Sequence, residues 1–154
     1  MIRNPYNQDI KSLMEIESES FASHCCFGYR QFYYLINQGK GFFYIATVRN
    51  KVVGYIYASI KRNVKYARIY SIAIAKNYRH KGIATALLHH LELQVRRHIT
   101  KIKGITLEVA THNHKAIRFY KSQGYVKFNM VEDYYRPGEH AYKFKKDFSA
   151  TSKI

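Results

Sequence analysis

The sequence predicts an α/β fold, a mixed sheet with helices on both faces, in the element order ααβββαβαββ. Three observations carry this reading. Apolar spacing switches repeatedly between the helical and the strand period. Ala67 to Ile74 is apolar on both faces, as suits a central strand. A basic glycine turn, Arg79-His80-Lys81-Gly82-Ile83-Ala84, joins that strand to an apolar helical run.

The elements follow in order. From about Asn7 to Ser20, Ile10, Leu13, Met14 and Ile16 with Glu-rich spacing mark an amphipathic helix. Gly28 to Gln38 is a second, shorter helix carrying Phe32, Leu35 and Ile36. Phe42 to Val48 is aromatic and β-branched; Asn50-Lys51 turns the chain, and Val52 to Ile60 returns as the other arm of a hairpin. Ala67 to Ile74 is the third strand. In the helix after the glycine turn, Ala84, Leu87, Leu88, Leu91 and Val95 form a core-facing stripe. Arg96-Arg97-His98 places positive charge at its negative pole. Gly104 opens a strand, Ile105 to Ala110. Asn113 caps a helix that Gly124 ends. Val126 to Val131 and Ala141 to Phe148 are the last strands, joined by a polar loop around Tyr134 to Glu139.

A chain of 154 residues suits one domain, residues 1–148, with a short C-terminal tail at 149–154. There are 26 Lys+Arg against 10 Asp+Glu, a formal charge of +16. Such a charge attracts anions: nucleotide-like cofactors, RNA or acidic proteins. Compositional bias is the alternative, since Lys, Tyr, Ile and Asn are abundant together. Cys25 and Cys26 are neighbours and the only cysteines, so no disulfide framework exists and a reducing cytoplasm is expected. His24-Cys25-Cys26 lacks the further ligands that zinc needs, so no metal site is expected. No segment approaches the ~20 apolar residues of a membrane span.

The glycine turn is where anion chemistry points. Backbone N–H groups at a helix start and the positive end of its dipole form a phosphate cradle, and Gly82 permits close approach. Alone, Arg-x-x-Gly-x-Ala is also an ordinary strand-to-helix junction with solvated cations. It is neither a Walker loop nor a dinucleotide fingerprint. A second constellation follows. In Ile105 to Ala110, Ile105, Leu107 and Val109 share one face, while Thr106, Glu108 and Ala110 share the other. Glu108 is a lone carboxylate in an apolar strand, where desolvation favours a general base; a solvent-facing Glu or a structural salt bridge is the alternative. Tyr120, on the next helix, offers a phenol proton, or is a core aromatic beside Ala116, Ile117 and Phe119. Asn113 can cap its helix and still offer its amide to a ligand.

Together these pieces resemble the GNAT superfamily of acetyl-CoA-dependent N-acetyltransferases, and within it the RimI-type branch of ribosomal-protein alanine and protein N-terminal acetyltransferases. The resemblance rests on Ser71-Ile72-Ala73-Ile74, Tyr78 to Ala84, Leu87-Leu88, Leu107-Glu108-Val109, Asn113, Ala116-Ile117, Phe119-Tyr120 and Gly124-Tyr125. Tyr134-Tyr135 and Ala141-Tyr142 also fit that branch. The resemblance implies a mostly antiparallel mixed sheet of about six to seven strands. It implies that Ile72, Ala73 and Ile74 pair by backbone with the pantetheine arm of acetyl-CoA. The turn His80, Lys81, Gly82, Ile83, Ala84 and Thr85 is implied to hold the pyrophosphate, and Arg79, Asn113 and Tyr120 also to contact the cofactor. Glu108 is implied as general base and Tyr120 as general acid, releasing coenzyme A without an acyl-enzyme. A backbone N–H of the Ile72–Ile74 strand would support the oxyanion. Ala84 replaces the usual second glycine, and Phe21 to Gly28 lacks the Pro-Trp frequent in RimI-type enzymes.

The expected partner is a protein or peptide N-terminus, such as that of a ribosomal protein, with Tyr134 and Tyr135 flanking it, for a monomer or homodimer. A lysine side chain or a small-molecule amine is the alternative acceptor. A basic RNA- or ribosome-binding module without catalysis is the rival from another class. Its basic clusters are Lys61-Arg62-Lys65-Arg68, Arg96-Arg97-Lys101-Lys103 and Lys143-Lys145-Lys146, which also read as solvated faces.

Overall fold

The computed structural model describes residues 1–148; the expected tail at 149–154 lies outside the described residues. Seven strands form one sheet in the order β1-β2-β3-β4-β5-β7-β6. They are β1 (Ile2–Arg3), β2 (Gly41–Val48), β3 (Lys51–Ser59), β4 (Tyr66–Ile74), β5 (Gly104–Ala110), β6 (Val126–Arg136) and β7 (Glu139–Asp147). All neighbours are antiparallel except β4 and β5. The helices are α1 (Ile10–Ser20), α2 (Tyr29–Asn37), α3 (Ile83–His98) and α4 (His114–Ser122). None is long and apolar enough to cross a membrane.

Two apolar layers sandwich the sheet. On one face, Ile10, Leu13 and Ile16 of α1 and Phe32 of α2 pack on Phe43, Ile45, Tyr55, Tyr57 and Ala73. On the other, the α3 stripe Leu87, Leu88, Leu91 and Val95 is fully buried against Val53, Ile56, Ile69, Ile105, Leu107 and Phe144. The period-3.6 stripe and the alternation within β5 each select one buried face, so local pattern and tertiary packing agree. Side-chain Oδ1 of Asn113 accepts from the Ala116 N–H at 3.2 Å, which caps α4 as its sequence predicts.

Four details differ from the expectations. The two-residue edge strand β1 has too little pattern to be legible. The hairpin turn centres on Arg49 and Asn50, both at positive φ, one residue before the expected position. Before α1, Asn7–Asp9 is a separate 3-10 turn rather than its first turn. Tyr134 and Tyr135 lie on β6, not in a loop: the strand runs to Arg136, and only Pro137 and Gly138, the latter at φ 85°, turn the chain into β7.

Candidate active site

The site begins where two parallel strands part. β4 and β5 pair only from Tyr66↔Gly104 to Ile69↔Leu107. Beyond that point β4 stays bonded to β3 as far as Ile74, and β5 to β7 as far as Ala110. Each strand follows its antiparallel partner, so a wedge opens between them. A register shift between Tyr57 and Ala58 leaves Tyr70 unpaired at its apex. The wedge holds a cavity of about 360 Å³ whose walls include Tyr70, Ser71, Glu108, Asn113, Tyr120 and Tyr135. A groove of about 670 Å³ continues from it, sharing Ile72, Asn113 and Tyr120. Both volumes lie in the range of small-molecule sites.

The groove runs along the end of β4 to the start of α3. Ile72, Ala73, Ile74, Arg79, His80, Gly82, Ile83, Ala84 and Thr85 all line it. Gly82 sits at φ 83° as the N-cap of α3, and His80 at φ 62°. A Cβ built on Gly82 would meet nothing within 4 Å, so the left-handed backbone, not crowding, calls for glycine. The first intrahelical bond runs from Ala86 N–H to Gly82 carbonyl, leaving the preceding N–H groups without helical partners. These free donors, the dipole and adjacent cations match a diphosphate. The Arg79 side chain does something else: Nε donates to the Ile74 carbonyl at 3.0 Å and Nη2 to Ser20 Oγ at 3.3 Å, tying the β4 end to α1. Lys81 is exposed outside the groove wall, its Nζ 5.7 Å from the Tyr78 ring centre.

Glu108 lines the cavity with its side chain only 8% exposed, and it is not the lone carboxylate the sequence suggests. Arg68 Nε donates to its Oε2 at 3.0 Å, the pairing a buried charge requires. In the sequence Arg68 belongs to a basic cluster that reads as a solvated face; only the parallel register, Arg68↔Thr106, brings it beside Glu108. The same guanidinium donates to the Tyr134 hydroxyl and, at 3.3 Å, to the Tyr70 hydroxyl. Tyr134 is thereby held outside the cavity wall while its neighbour Tyr135 lines it. Burial and the adjacent Tyr134 push the Tyr135 phenol up to about 12. Burial likewise raises Tyr120 well above the ordinary phenol value, so its proton is retained.

The segment between α1 and α2 forms the opposite wall through Phe21, His24, Cys25 and Phe27. Buried Glu17, missed by sequence reasoning, anchors this segment. Its Oε2 accepts from the Phe27 N–H at 2.8 Å, and its Oε1 accepts from the Tyr55 hydroxyl, which also bonds Ser71 Oγ at 2.7 Å. Burial raises the Glu17 carboxyl above its ordinary value. It also pushes the Cys25 and Cys26 thiols up, away from the thiolate form. His24 Nε2 lies 3.4 Å from Glu139 Oε2, linking this wall to β7.

Residues 9–125 match the description of the Acetyltransferase (GNAT) family. The chain belongs to that family. It is therefore an acetyl-transferring enzyme. This GNAT chain is 30% identical to the N-alpha-acetyltransferase of Saccharolobus solfataricus, covering 92% of this chain and 89% of the relative. Its fold superposes on the crystal structure of Ard1 from Thermoplasma volcanium with a TM-score of 0.86 at 30% identity, covering 97% of each chain. The Escherichia coli ribosomal-protein-S18-alanine N-acetyltransferase shares the fold at a TM-score of 0.81 and 21% identity, over 97% of this chain and 94% of that one.

Proposed function

We propose that the protein transfers an acetyl group from acetyl-CoA to the α-amino group of a protein N-terminus by direct attack. The observation that carries this reading is the divergence of β4 and β5, which puts Glu108, Tyr120 and the start of α3 on one continuous cavity. The names of the similar proteins support an N-terminal amine as acceptor.

When bound, acetyl-CoA supplies a thioester carbonyl activated towards an amine. The free N–H groups from Gly82 to Thr85 would hold its diphosphate, and the β4 backbone at Ile72 to Ile74, without a strand on that side, would offer hydrogen bonds to its arm. A β4 N–H steadies charge on the carbonyl oxygen. An α-amino group, with an ordinary pKa of about 7.7–8.0, is partly protonated at neutrality. Glu108, oriented by Arg68, takes the proton released as the N–C bond forms. Tyr120 would supply the proton that the departing coenzyme A thiolate needs and would regain it from solvent. Asn113 and Tyr135 shape the cavity beside the reacting centre. Cys25 and Cys26 are given no part.

The test is calorimetric titration with acetyl-CoA, followed by thiol release with three acceptor panels: peptides with free N-termini, including ribosomal-protein sequences; N-blocked lysine peptides; and small amines. Turnover confined to free N-termini supports the reading. Turnover with blocked lysine peptides or small amines alone would replace the acceptor. Failure to bind acetyl-CoA would remove the mechanism.

A further inference from the structure

Helices α1 and α2 cover only part of their face of the sheet. The apolar layer beneath them draws its strand residues from β2, β3 and β4. Past β4, that face includes two adjacent cross-strand rows that alternate with the core residues, beside the row Tyr66–Gly104–Asp147. One row is Arg68–Thr106–Lys145–Val126; the next is Glu108–Lys143–Asn129. Along its margins Val126, Phe128 and Tyr70 are 64%, 45% and 46% exposed, large values for apolar and aromatic side chains. Lys145 Nζ stands over both the Phe128 ring, at 5.5 Å, and the Tyr66 ring, at 5.9 Å.

On this face three cations, Arg68, Lys143 and Lys145, stand against two carboxylates, Glu108 and Asp147. Glu108 is neutralised by Arg68. Asp147 accepts from the Tyr66 hydroxyl at 2.6 Å and lies 4.0 Å from Lys145. Glu132 and Asp133 follow the Val131↔Ala141 pair, and Asp133 is turned towards the Gly138 N–H at 2.8 Å. Lys143 makes no ion pair among the described residues. The surface starts at the cavity itself, because Glu108 belongs to both.

We infer that this open face of β4, β5, β7 and β6 docks the acceptor polypeptide downstream of its amino terminus and selects chains that carry carboxylates there. The inference rests on the proposed N-terminal acetyl transfer and adds the chemistry of the segment behind the reacting residue. An extended chain advances about 3.3 Å per residue. Lys143 lies directly opposite Glu108 and Lys145 one diagonal step on, about 5 and 7–8 Å away, so a polypeptide whose first residue lies at Glu108 meets both lysines by about its second to fourth residue. Carboxylates there pair with the two lysines, and apolar side chains cover Phe128 and Val126. The excess of 26 Lys+Arg over 10 Asp+Glu steers such chains in and repels cationic ones.

The test uses the full chain with coenzyme A and fluorescent peptides that share their first two residues but carry Asp, Ser or Lys behind them. Binding is read by anisotropy, and turnover by thiol release. The Asp peptide gains two exposed ion pairs where the Lys peptide meets two like charges, so it should bind roughly tenfold more tightly. The gap should narrow as salt rises. It should narrow likewise in Lys143→Gln/Lys145→Gln and in the charge-reversed pair Lys143→Glu/Lys145→Glu. Equal binding of the Asp and Lys peptides by the unmodified protein at low salt would overturn the inference, as would a gap unaffected by either variant in folded form. Single-stranded RNA displacing the Asp peptide through the same lysines, with no preference among peptides, would also overturn it, in favour of a nucleic-acid surface. Absent turnover with any peptide, beside a retained Asp preference, would strike the transfer reading and leave the docking surface standing.

Discussion

Arg68 and Glu108 lie 40 residues apart in sequence and meet across parallel strands, Nε to Oε2, at 3.0 Å. The contact falls at the last stretch of β4–β5 pairing before the strands part, so a cation stands behind the carboxylate that lines the cavity. Its guanidinium also reaches Tyr70 of β4 and Tyr134 of β6, coupling three strands around one carboxylate.

Arg68→Lys should therefore lower kcat about tenfold while acetyl-CoA affinity holds, because a point charge cannot replace a fork that serves three acceptors. Arg68→Ala should go further and destabilise the fold by about 1–3 kcal/mol, since it leaves the largely buried Glu108 unpaired. Steady-state kinetics and urea unfolding on both variants check this. A kcat loss in Arg68→Lys matched by an equal loss of cofactor affinity would argue against a positioning role.

Glu108→Gln should reduce kcat about 10²–10⁴-fold with coenzyme A binding unchanged, the range for loss of a general base. The amide keeps the shape and the Arg68 contact but cannot take a proton. Calorimetric titration beside turnover separates the two effects, and turnover equal to that of the unmodified protein would remove Glu108 from the role.

Tyr120→Phe should also lower kcat rather than cofactor affinity. The pH profile carries a further sign. Burial raises the phenol above its ordinary value of 10.0, so Tyr120 keeps its proton as pH climbs to that value. If it is the general acid, no loss of kcat assignable to its ionisation should appear below about pH 10. A basic limb near pH 8 that vanishes in Tyr120→Phe would contradict the stated environment.

Gly82→Ala tests the groove. At φ 83° an alanine is strained, although its Cβ meets open space. The expected result is a stability loss of about 1–2 kcal/mol and weaker acetyl-CoA binding, with little change in kcat at saturation. Thermal melts with and without coenzyme A distinguish strain from a lost diphosphate contact: the second effect appears as a smaller ligand-induced rise in Tm.

What was legible in the sequence follows from what is local. The α3 stripe and the Asn113 cap are written in spacings of three and four residues, and β4 shows its central place by being apolar on both faces. The glycine turn is local as well, whereas the place of Ile72 to Ile74 on the same groove is implied only by the family resemblance, and Lys81 lies outside the groove wall. The partner of Glu108 was not, because it depends on the register between β4 and β5, which no short window contains. Tyr134 and Tyr135 were misplaced into a loop because β6 loses regular pairing between Val131 and Arg136, so its alternation breaks before the strand ends. Glu17 was hidden for another reason. On a helix rich in Glu, nothing local distinguishes the carboxylate that points inward from its solvated neighbours.

Glu17 gives the last prediction, on stability rather than rate. It is 1% exposed and its carboxyl titrates above the ordinary value of 4.5, chiefly because burial penalises the charge. Hydrogen bonds from Tyr55 and the Phe27 N–H oppose that shift without cancelling it. The folded state thus binds its proton more tightly than the unfolded state. The resulting contribution to stability is fully present below the unfolded pKa and is lost as pH rises through the folded one. Glu17→Gln removes this titration while keeping an acceptor for Phe27. Its stability relative to the unmodified protein should therefore improve steadily as pH rises from about 4.5 towards neutrality, then level off. Urea unfolding of both proteins across that range checks the slope. A flat difference would mean that folding leaves the Glu17 carboxyl unshifted, and one that grows against Glu17→Gln with rising pH would mean that its charged form is stabilised. In either case, a raised acceptor KM with acetyl-CoA affinity intact would show that Glu17 holds the Phe21 to Phe27 wall in place.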